Sequence, residues 1–227
     1  MKKIVVLSGA GISAESGIKT FRDSGGLWEG YDIAEVATPE GWENNPELVL
    51  EFYNMRRKDA LKAEPNAGHL ALKALESRYD VTIITQNVDN LHEKAGSSNV
   101  LHLHGELFKS RSTCDQQLVY DIQGWEIKLG DVCAKGSQLR PHIVWFGEAV
   151  PMLEKAIQEV LKADILIVLG TSLQVYPAAG LIDYAKDEAP KYIIDPNMPY
   201  VSPRNNLHLF PEVASSGLKK VADLLMK

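Results

Sequence analysis

The 227-residue sequence predicts an α/β fold, a doubly wound parallel Rossmann-like sheet with a smaller inserted lobe. Three observations predict it. Short β-branched apolar runs recur: Ile4-Val5-Val6-Leu7, Val81-Thr82-Ile83-Ile84-Thr85 and Ile165-Leu166-Ile167-Val168-Leu169. Each is too continuous to leave one face wet, so each reads as a buried parallel strand. Helical patterns separate the runs, and nearly every run ends in glycine or small polar groups, where doubly wound sheets bind ligands.

The first strand breaks into Gly9-Ala10-Gly11-Ile12-Ser13-Ala14-Glu15-Ser16-Gly17. Glycines there permit φ > 0 and let bare N–H groups approach a phosphate, with the positive end of a helix behind them. Ala14 stands at the third glycine position of Gly-x-Gly-x-x-Gly. A strand-to-helix turn with no ligand fits the same residues. The following stretch from Thr20 to Trp28 is rich in glycine and polar groups yet carries two aromatics. It is either a cover over a ligand or a surface loop pinned by Phe21 and Trp28.

Pro39 and Gly41 break the next pattern, and Asn45-Pro46-Glu47 opens a helix that runs to position 63. Its apolar stripe, Val49, Phe52, Tyr53 and Ala60, takes in Arg56, while Arg57 and Lys58 turn toward solvent. Arg56 either lays its stem on the core or joins Tyr53 as a paired donor set for an anionic group. A second helix spans 67–77, with His69 in a structural role.

Past the strand at 81–85, Gln86, Asn87 and Asp89 are ligand candidates at a strand end; a helix N-cap made by Asn87 or Asp89 is the alternative. In the short strand at 99–105, His102 and His104 share a face, either as a metal pair or as satisfied histidines. His104, at the strand end before Gly105, is the reactive candidate. Between Lys109 and Gln138 polar residues dominate. Cys114 and Cys133 there form no Cys-x-x-Cys pair and fall short of the four ligands of structural zinc, so no metal is expected.

A strand at 139–148 offers an edge for an incoming peptide, with His142 structural. A helix at 154–163 precedes the strand at 165–169, which ends in Gly170-Thr171-Ser172. The stretch from Val175 to Gly180 leads into another helix, Tyr192-Ile193-Ile194 is a strand ending at Asp195-Pro196-Asn197, and an amphipathic helix at 217–226 closes the chain. The expected division is a large lobe of residues 1–30, 76–108 and 139–227 and a small lobe of 31–75 and 109–138, within one domain.

The formal net charge of −6 argues against wholesale coating of nucleic acid. Two cysteines, no export signal and no apolar run near the roughly twenty residues that span a bilayer predict a cytoplasmic chain without a membrane partner. It is expected to act as a monomer.

Taken in order, Gly9-Ala10-Gly11-Ile12-Ser13, Thr20-Phe21-Arg22, Gln86-Asn87-Val88-Asp89, His104-Gly105, Trp145-Phe146-Gly147-Glu148 and Gly170-Thr171-Ser172 resemble the sirtuins, the NAD-dependent protein lysine deacylases. The compact length is similar to that of bacterial members. The resemblance implies NAD as cofactor, with Gly9, Ala10, Gly11, Ser13, Phe21 and Arg22 about the pyrophosphate and nicotinamide ribose. Gln86, Asn87 and Asp89 would line the nicotinamide side, Gly170, Thr171, Ser172, Asp195 and Asn197 the adenosine half, and Ala214 the adenine. His104 and Asn87 would be catalytic, His104 as general base. An acyl-lysine peptide would lie as a strand between Gly147-Glu148 and Val175-Tyr176, beside Val144 and Phe146.

The implied chemistry is loss of nicotinamide as the acyl oxygen attacks the ribose, then proton removal from a ribose hydroxyl by neutral His104. Products would be free lysine, nicotinamide and O-acyl-ADP-ribose. Tyr53-x-x-Arg56 is similar to the desuccinylating and demalonylating branch, where the two groups bind the distal carboxylate, so acidic acyl groups are expected alongside acetyl. Alternatives are a protein mono-ADP-ribosyltransferase and a non-catalytic NAD sensor; His104, Asn87 and Asp89 together argue against the sensor. One departure stands out: sirtuins usually carry four zinc thiolates in the stretch matching 109–138, and this chain lacks at least two. The expectation is a small lobe without zinc, held by packing of Leu118, Tyr120, Ile122 and Trp125.

Overall fold

Six parallel strands form the centre of the protein, in the order β11 (Leu207–Phe210), β10 (Lys191–Ile194), β9 (Ile165–Leu169), β1 (Lys3–Ser8), β4 (Asp80–Thr85) and β5 (Val100–His102). The computed structural model describes residues 1–19, 27–28 and 30–227. In chain order these form β1 (Lys3–Ser8), α1 (Ala10–Ala14), β2 (Leu27–Trp28), β3 (Tyr31–Asp32), α2 (Ile33–Val36), α3 (Pro39–Asn44), α4 (Pro46–Lys62) and α5 (Ala67–Leu75). There follow β4 (Asp80–Thr85), α6 (Leu91–Lys94), β5 (Val100–His102), β6 (Gly105–Ser112), β7 (Val119–Asp121) and β8 (Leu139–Ile143). The chain ends with α7 (Leu153–Leu161), β9 (Ile165–Leu169), a 3-10 helix (Ala178–Tyr184), β10 (Lys191–Ile194), β11 (Leu207–Phe210) and α8 (Ala214–Leu225).

Alternation along β1 decides how the two faces are covered, because successive side chains point to opposite sides of a strand. Ile4 and Val6 pack with Leu72 and Leu75 of α5 and Leu218 and Val221 of α8. Val5 and Leu7 pack with Ala156 and Val160 of α7 and Leu181 of the 3-10 helix. α5 therefore joins the large lobe, and the expected small-lobe limit at residue 75 moves back to the start of that helix. The other limits shift as well: β6 and β8 belong to a separate antiparallel sheet, β7-β6-β8, so residues 105–108 and 139–143 go with the small lobe.

Several elements differ from their expected form. The strand expected to run to residue 148 stops at Ile143, and the helix expected after Gly180 is a 3-10 helix beginning at Ala178. α8 starts at Ala214, three residues early, and β11 has no counterpart among the expected strands. Its Leu207–Phe210 pairs on one side only, with β10, and its middle residues are exposed, so it lacks the buried apolar run that marks the others.

Beneath the C-terminal end of β1 lie two buried imidazoles, His69 and His92, with ring centroids 5.0 Å apart. His69 Nδ1 accepts from the Asn66 amide at 3.2 Å in a capping box at the start of α5, the structural role expected of it. His92 Nε2 meets Ser8 Oγ at 3.0 Å. Burial pushes His69 down to about 4 and His92 to about 3, so both are neutral near pH 7.

Arg57 overturns its expected exposure. It is 0% exposed, its Nε donating to Trp125 O at 2.6 Å, Nη1 to Leu107 O at 3.2 Å and Nη2 to Asn54 Oδ1. Asn54 continues the join, donating to Ile127 O and accepting from Ile127 N, both at 2.9 Å. Lys58 is exposed but sets its ammonium 3.5 Å over the Trp125 ring. Helical periodicity places Arg57 off the apolar stripe, and the 125–127 segment then covers that second face. Leu118, Tyr120, Ile122 and Trp125, expected to hold the small lobe by packing, are all partly exposed, and within that lobe the polar clip of Asn54 and Arg57 fastens the 125–127 segment to α4.

Replacing Arg57 by Met keeps the stem and strands two buried carbonyls, at a cost of about 2–3 kcal/mol. Urea unfolding of Arg57→Met is expected to show that loss. A midpoint equal to that of the unmodified protein contradicts the clip.

Candidate active site

The chain leaves β1 toward β4 and β5 on one side and returns through β9, β10 and β11 on the other. A cleft of about 750 Å³ opens where this order reverses, at the C-terminal ends of β1 and β9. Its floor is made by two loops in backbone contact. Gly9 N donates to Leu169 O and Gly11 N to Gly170 O, both at 2.9 Å. A Cβ on Gly9 would meet Gly170 O at 2.7 Å, and one on Gly11 would meet Gly170 Cα at 2.7 Å. The glycines are thus required by the neighbouring loop, a constraint the sequence reading assigned to a phosphate. Gly9, Ala10, Gly11 and Ser13 still line the cleft, along with Gly170, Thr171 and Ser172.

From the end of β4, Asn87 reaches back over this floor. Its Nδ2 donates to Gly9 O and Ser13 Oγ, both at 3.0 Å, so what it has left to offer a ligand is its Oδ1 acceptor. Asp89 accepts from Ser13 Oγ at 2.9 Å and from Leu91 N at 3.1 Å, and its burial raises its pKa. It thus accepts from the first N–H of α6, although the N-cap of that helix is Asn90 and neither Asn87 nor Asp89. Gln86 donates to Thr171 Oγ1 at 3.2 Å, joining the β4 end to the β9 end.

The two histidines separate. His102 meets Asn87 O at 3.0 Å and Glu93 Oε1 at 2.8 Å, which engages both ring nitrogens and rules it out of a metal pair with His104. His104 lines the cleft, and its Nδ1 lies 3.1 Å from Gln86 O. A carbonyl only accepts, so Nδ1 carries the hydrogen and Nε2 keeps a lone pair. Burial holds His104 below the usual 6.5, against the opposing pull of that carbonyl. Gly105 follows because β8 crosses close by: its φ is +86°, and a Cβ there would lie 2.0 Å from His142 O. His142 itself, expected to be hydrogen-bonded, has a buried Nδ1 without a partner.

At the far wall Tyr53 is fully buried, and burial pushes its phenol up to about 12. Trp145 Nε1 donates to its hydroxyl at 3.1 Å. Arg56 lines the same wall with its guanidinium 4.2 Å over the Trp28 ring. Trp145 is held in turn: the Arg140 guanidinium stacks 3.2 Å over it, and Glu148 Oε2 accepts from its backbone N at 2.8 Å. Glu148 also accepts from Arg140 Nη1 at 2.8 Å and Arg111 Nη2 at 2.9 Å. The Glu148 side chain is thus committed within the protein, and only its backbone is available to a peptide.

Val144, Phe146, Gly147, Val175 and Tyr176 also line the cleft, with Phe146 and Tyr176 exposed at its mouth. Asp195, Asn197 and Ala214 line it as well. Asp195 Oδ1 accepts from Asn197 N at 2.8 Å, and Glu15 accepts from Ser215 N at 2.9 Å, placing an acid at the start of α8. Phe21 and Arg22 lie outside the described residues. Sequence reasoning missed Arg111, Arg140 and Glu15. Arg140 sits six residues before Phe146 in a run that was treated only as a strand, and nothing in the spacing signals the other two. Among the described residues no three His, Cys, Asp or Glu side chains converge as a metal site requires.

A model of the Sir2 family matches residues 9–177. A Bacteroides thetaiotaomicron protein named NAD-dependent protein deacylase is 52% identical over 231 residues, covering 100% of this chain and 99% of that protein. A Helicobacter pylori protein of the same name is 56% identical over 229 residues, 100% of this chain and 97% of its own. Among solved structures, a Sir2 homolog in complex with NAD superposes with a TM-score of 0.89 at 39% identity, over 99% of this chain and 90% of that one. A Sir2 homologue mutant bound to ADP-ribose gives 0.90 at 38% identity, over 99% and 92%.

Burial alone would raise the Glu148 carboxyl, but Arg140, the Trp145 amide and Arg111 outweigh it and hold it below the usual 4.5. Its contribution to stability is therefore full above the unfolded value and disappears as pH falls through the lower folded one. Glu148→Ala is expected to cost about 3 kcal/mol at pH 7, because two buried guanidiniums lose their carboxylate. Chemical unfolding of both proteins from pH 7 to pH 3 checks this; the gap should close toward the acid end.

Proposed function

The chain belongs to the Sir2 family, and from that premise we propose that it is an NAD-dependent protein lysine deacylase whose pocket takes acidic acyl groups, succinyl or malonyl, ahead of acetyl. The observation that carries the acyl preference is the direction of one hydrogen bond. An indole N–H can only donate, so the Trp145–Tyr53 contact makes the phenol oxygen the acceptor and leaves the phenol hydrogen for another group. With its pKa near 12 the phenol keeps that hydrogen at any physiological pH. Arg56 stands three residues on along α4, on the same helical face. A neutral phenol donor beside a guanidinium suits a carboxylate, and an acetyl group would give neither an acceptor.

The cleft suits a dinucleotide: it is lined by Gly9, Ala10, Gly11 and Ser13 of the first loop, by Thr171 and Ser172 of the loop beside it, and by Asp195, Asn197 and Ala214. When bound, NAD supplies a ribose carbon that can accept the acyl oxygen with nicotinamide as leaving group. Asn87 and Asp89, fixed to each other through Ser13, would present the nicotinamide side. His104 Nε2 would take the ribose hydroxyl proton, its tautomer set by Gln86 O. An acyl-lysine peptide would pair with the backbone at Gly147-Glu148 and Val175-Tyr176.

Mass spectrometry of one peptide bearing succinyl-, malonyl- or acetyl-lysine, incubated with NAD, tests the reading. Faster removal of the acidic acyl groups is expected, and Arg56→Met should reduce the succinyl-to-acetyl ratio about tenfold to hundredfold, the 1.5–3 kcal/mol of a charged hydrogen bond. Preference of the unmodified protein for acetyl-lysine sinks the acyl assignment. Covalent labelling of protein by NAD in place of acyl removal points to ADP-ribosyl transfer.

The pH profile gives a separate check on His104. A base whose pKa is lowered loses half its neutral form only below pH 6.5, so the midpoint of the acid limb of kcat/KM should lie below 6.5. A midpoint above pH 6.5 contradicts this, as does turnover by His104→Ala equal to that of the unmodified protein.

A further inference from the structure

The two cysteines stand apart from the cleft chemistry, yet they are not isolated from each other. Cys114 follows β6 and is exposed; Cys133, in the segment before β8, is 5% exposed. Ser112, the last residue of β6, touches both: Cys114 Sγ lies 3.3 Å and Cys133 Sγ 3.2 Å from its Oγ. That oxygen also accepts from the backbone N–H groups of Cys114 at 3.1 Å and Asp115 at 3.2 Å. Its two lone pairs are thereby used, and its hydrogen goes to Cys133 Sγ.

The same sulfur receives the Lys135 amide at 3.4 Å. Donors converging on a sulfur favour the thiolate: chiefly through Ser112, the Cys133 thiol is lowered to about 7. The charged neighbours of the pair are Lys135 and Asp115, joined to each other at 2.9 Å. Two thiols and a hydroxyl do not fit the four ligands of a tetrahedral zinc site. They do fit a different chemistry, since one sulfur is a buried, donor-rich nucleophile and the other is an exposed partner set against the same hydroxyl.

We propose that Cys133 and Cys114 form a peroxide-reactive dithiol, Cys133 as the sulfur oxidised first and Cys114 as the sulfur that resolves it into a disulfide. In the first step Cys133 sulfur attacks one oxygen of hydrogen peroxide. The O–O bond breaks, a sulfenic acid forms and the other oxygen leaves as water with the thiol proton. Cys114 sulfur then attacks Cys133 sulfur, the S–O bond breaks, and a second water leaves with the Cys114 proton. Two thiols lose two electrons and one peroxide becomes two waters. The bond would tie the end of β6 to the segment entering β8, next to Arg111, whose guanidinium holds Glu148. This proposal does not depend on the acyl preference or on deacylation.

The test treats the full reduced chain with stoichiometric hydrogen peroxide and maps peptides without reductant. A Cys114–Cys133 cross-link that dithiothreitol reverses is expected, together with a sulfenic acid on Cys133 that dimedone traps in Cys114→Ser. Ser112→Ala, which needs no change at either sulfur, should raise the pH midpoint of Cys133 alkylation above 7. Peroxide treatment that leaves both thiols open to alkylation overturns the proposal. So do trapping of the sulfenic acid on Cys114 in the unmodified chain and a zinc ion retained by both thiols in the purified protein.

Discussion

Two backbone hydrogen bonds, from Gly9 to Leu169 and from Gly11 to Gly170, bring the ends of β1 and β9 into contact, and the rest of the site is assembled on that junction. A side chain at either glycine would collide with the opposite loop, so the floor of the cleft is determined by how closely two main chains can pass. Asn87 then bonds to Gly9 O and Ser13 Oγ, and Gln86 to Thr171 Oγ1, which stitches the third strand end to the first two. The candidate base His104 takes its tautomer from Gln86 O, so its lone pair is fixed by the same set of strand ends.

Legibility from sequence followed burial. β1, β4 and β9 were plain because both faces of each are covered and the apolar runs are unbroken. β11, at the sheet edge with exposed middle residues, carries no such run. Arg57 was misplaced because a helical wheel shows one buried stripe, and a second chain segment over another face leaves no trace in periodicity. The cleft-lining residues Asn87, Asp89 and His104 were legible as polar groups at strand ends; Tyr53 and Arg56 were ambiguous from pattern alone, and only a family resemblance singled them out. Arg111 and Arg140 were not legible, since the carboxylate they share lies up to 37 positions away in sequence.

Directional polar contacts hold the small lobe together and tie it to the cleft. Asn54 and Arg57 of α4 grip the 125–127 segment within that lobe, while Arg111 and Arg140 reach out of it to Glu148. Such contacts have narrow geometric tolerance, which suits a wall that must keep Trp145 and Tyr53 in register.

The neutral imidazoles under β1 have a consequence for where the protein can operate. His69 and His92 resist protonation while folded but regain the ordinary affinity for protons once the chain unfolds, so acid draws the equilibrium toward the unfolded state from about pH 6.5 downward. His92 meets Ser8, the residue preceding Gly9, so part of that load falls beside the junction on which the cleft is built. Sensitivity to acid is then an attribute of the scaffold beneath the cleft as well as of the groups that line it.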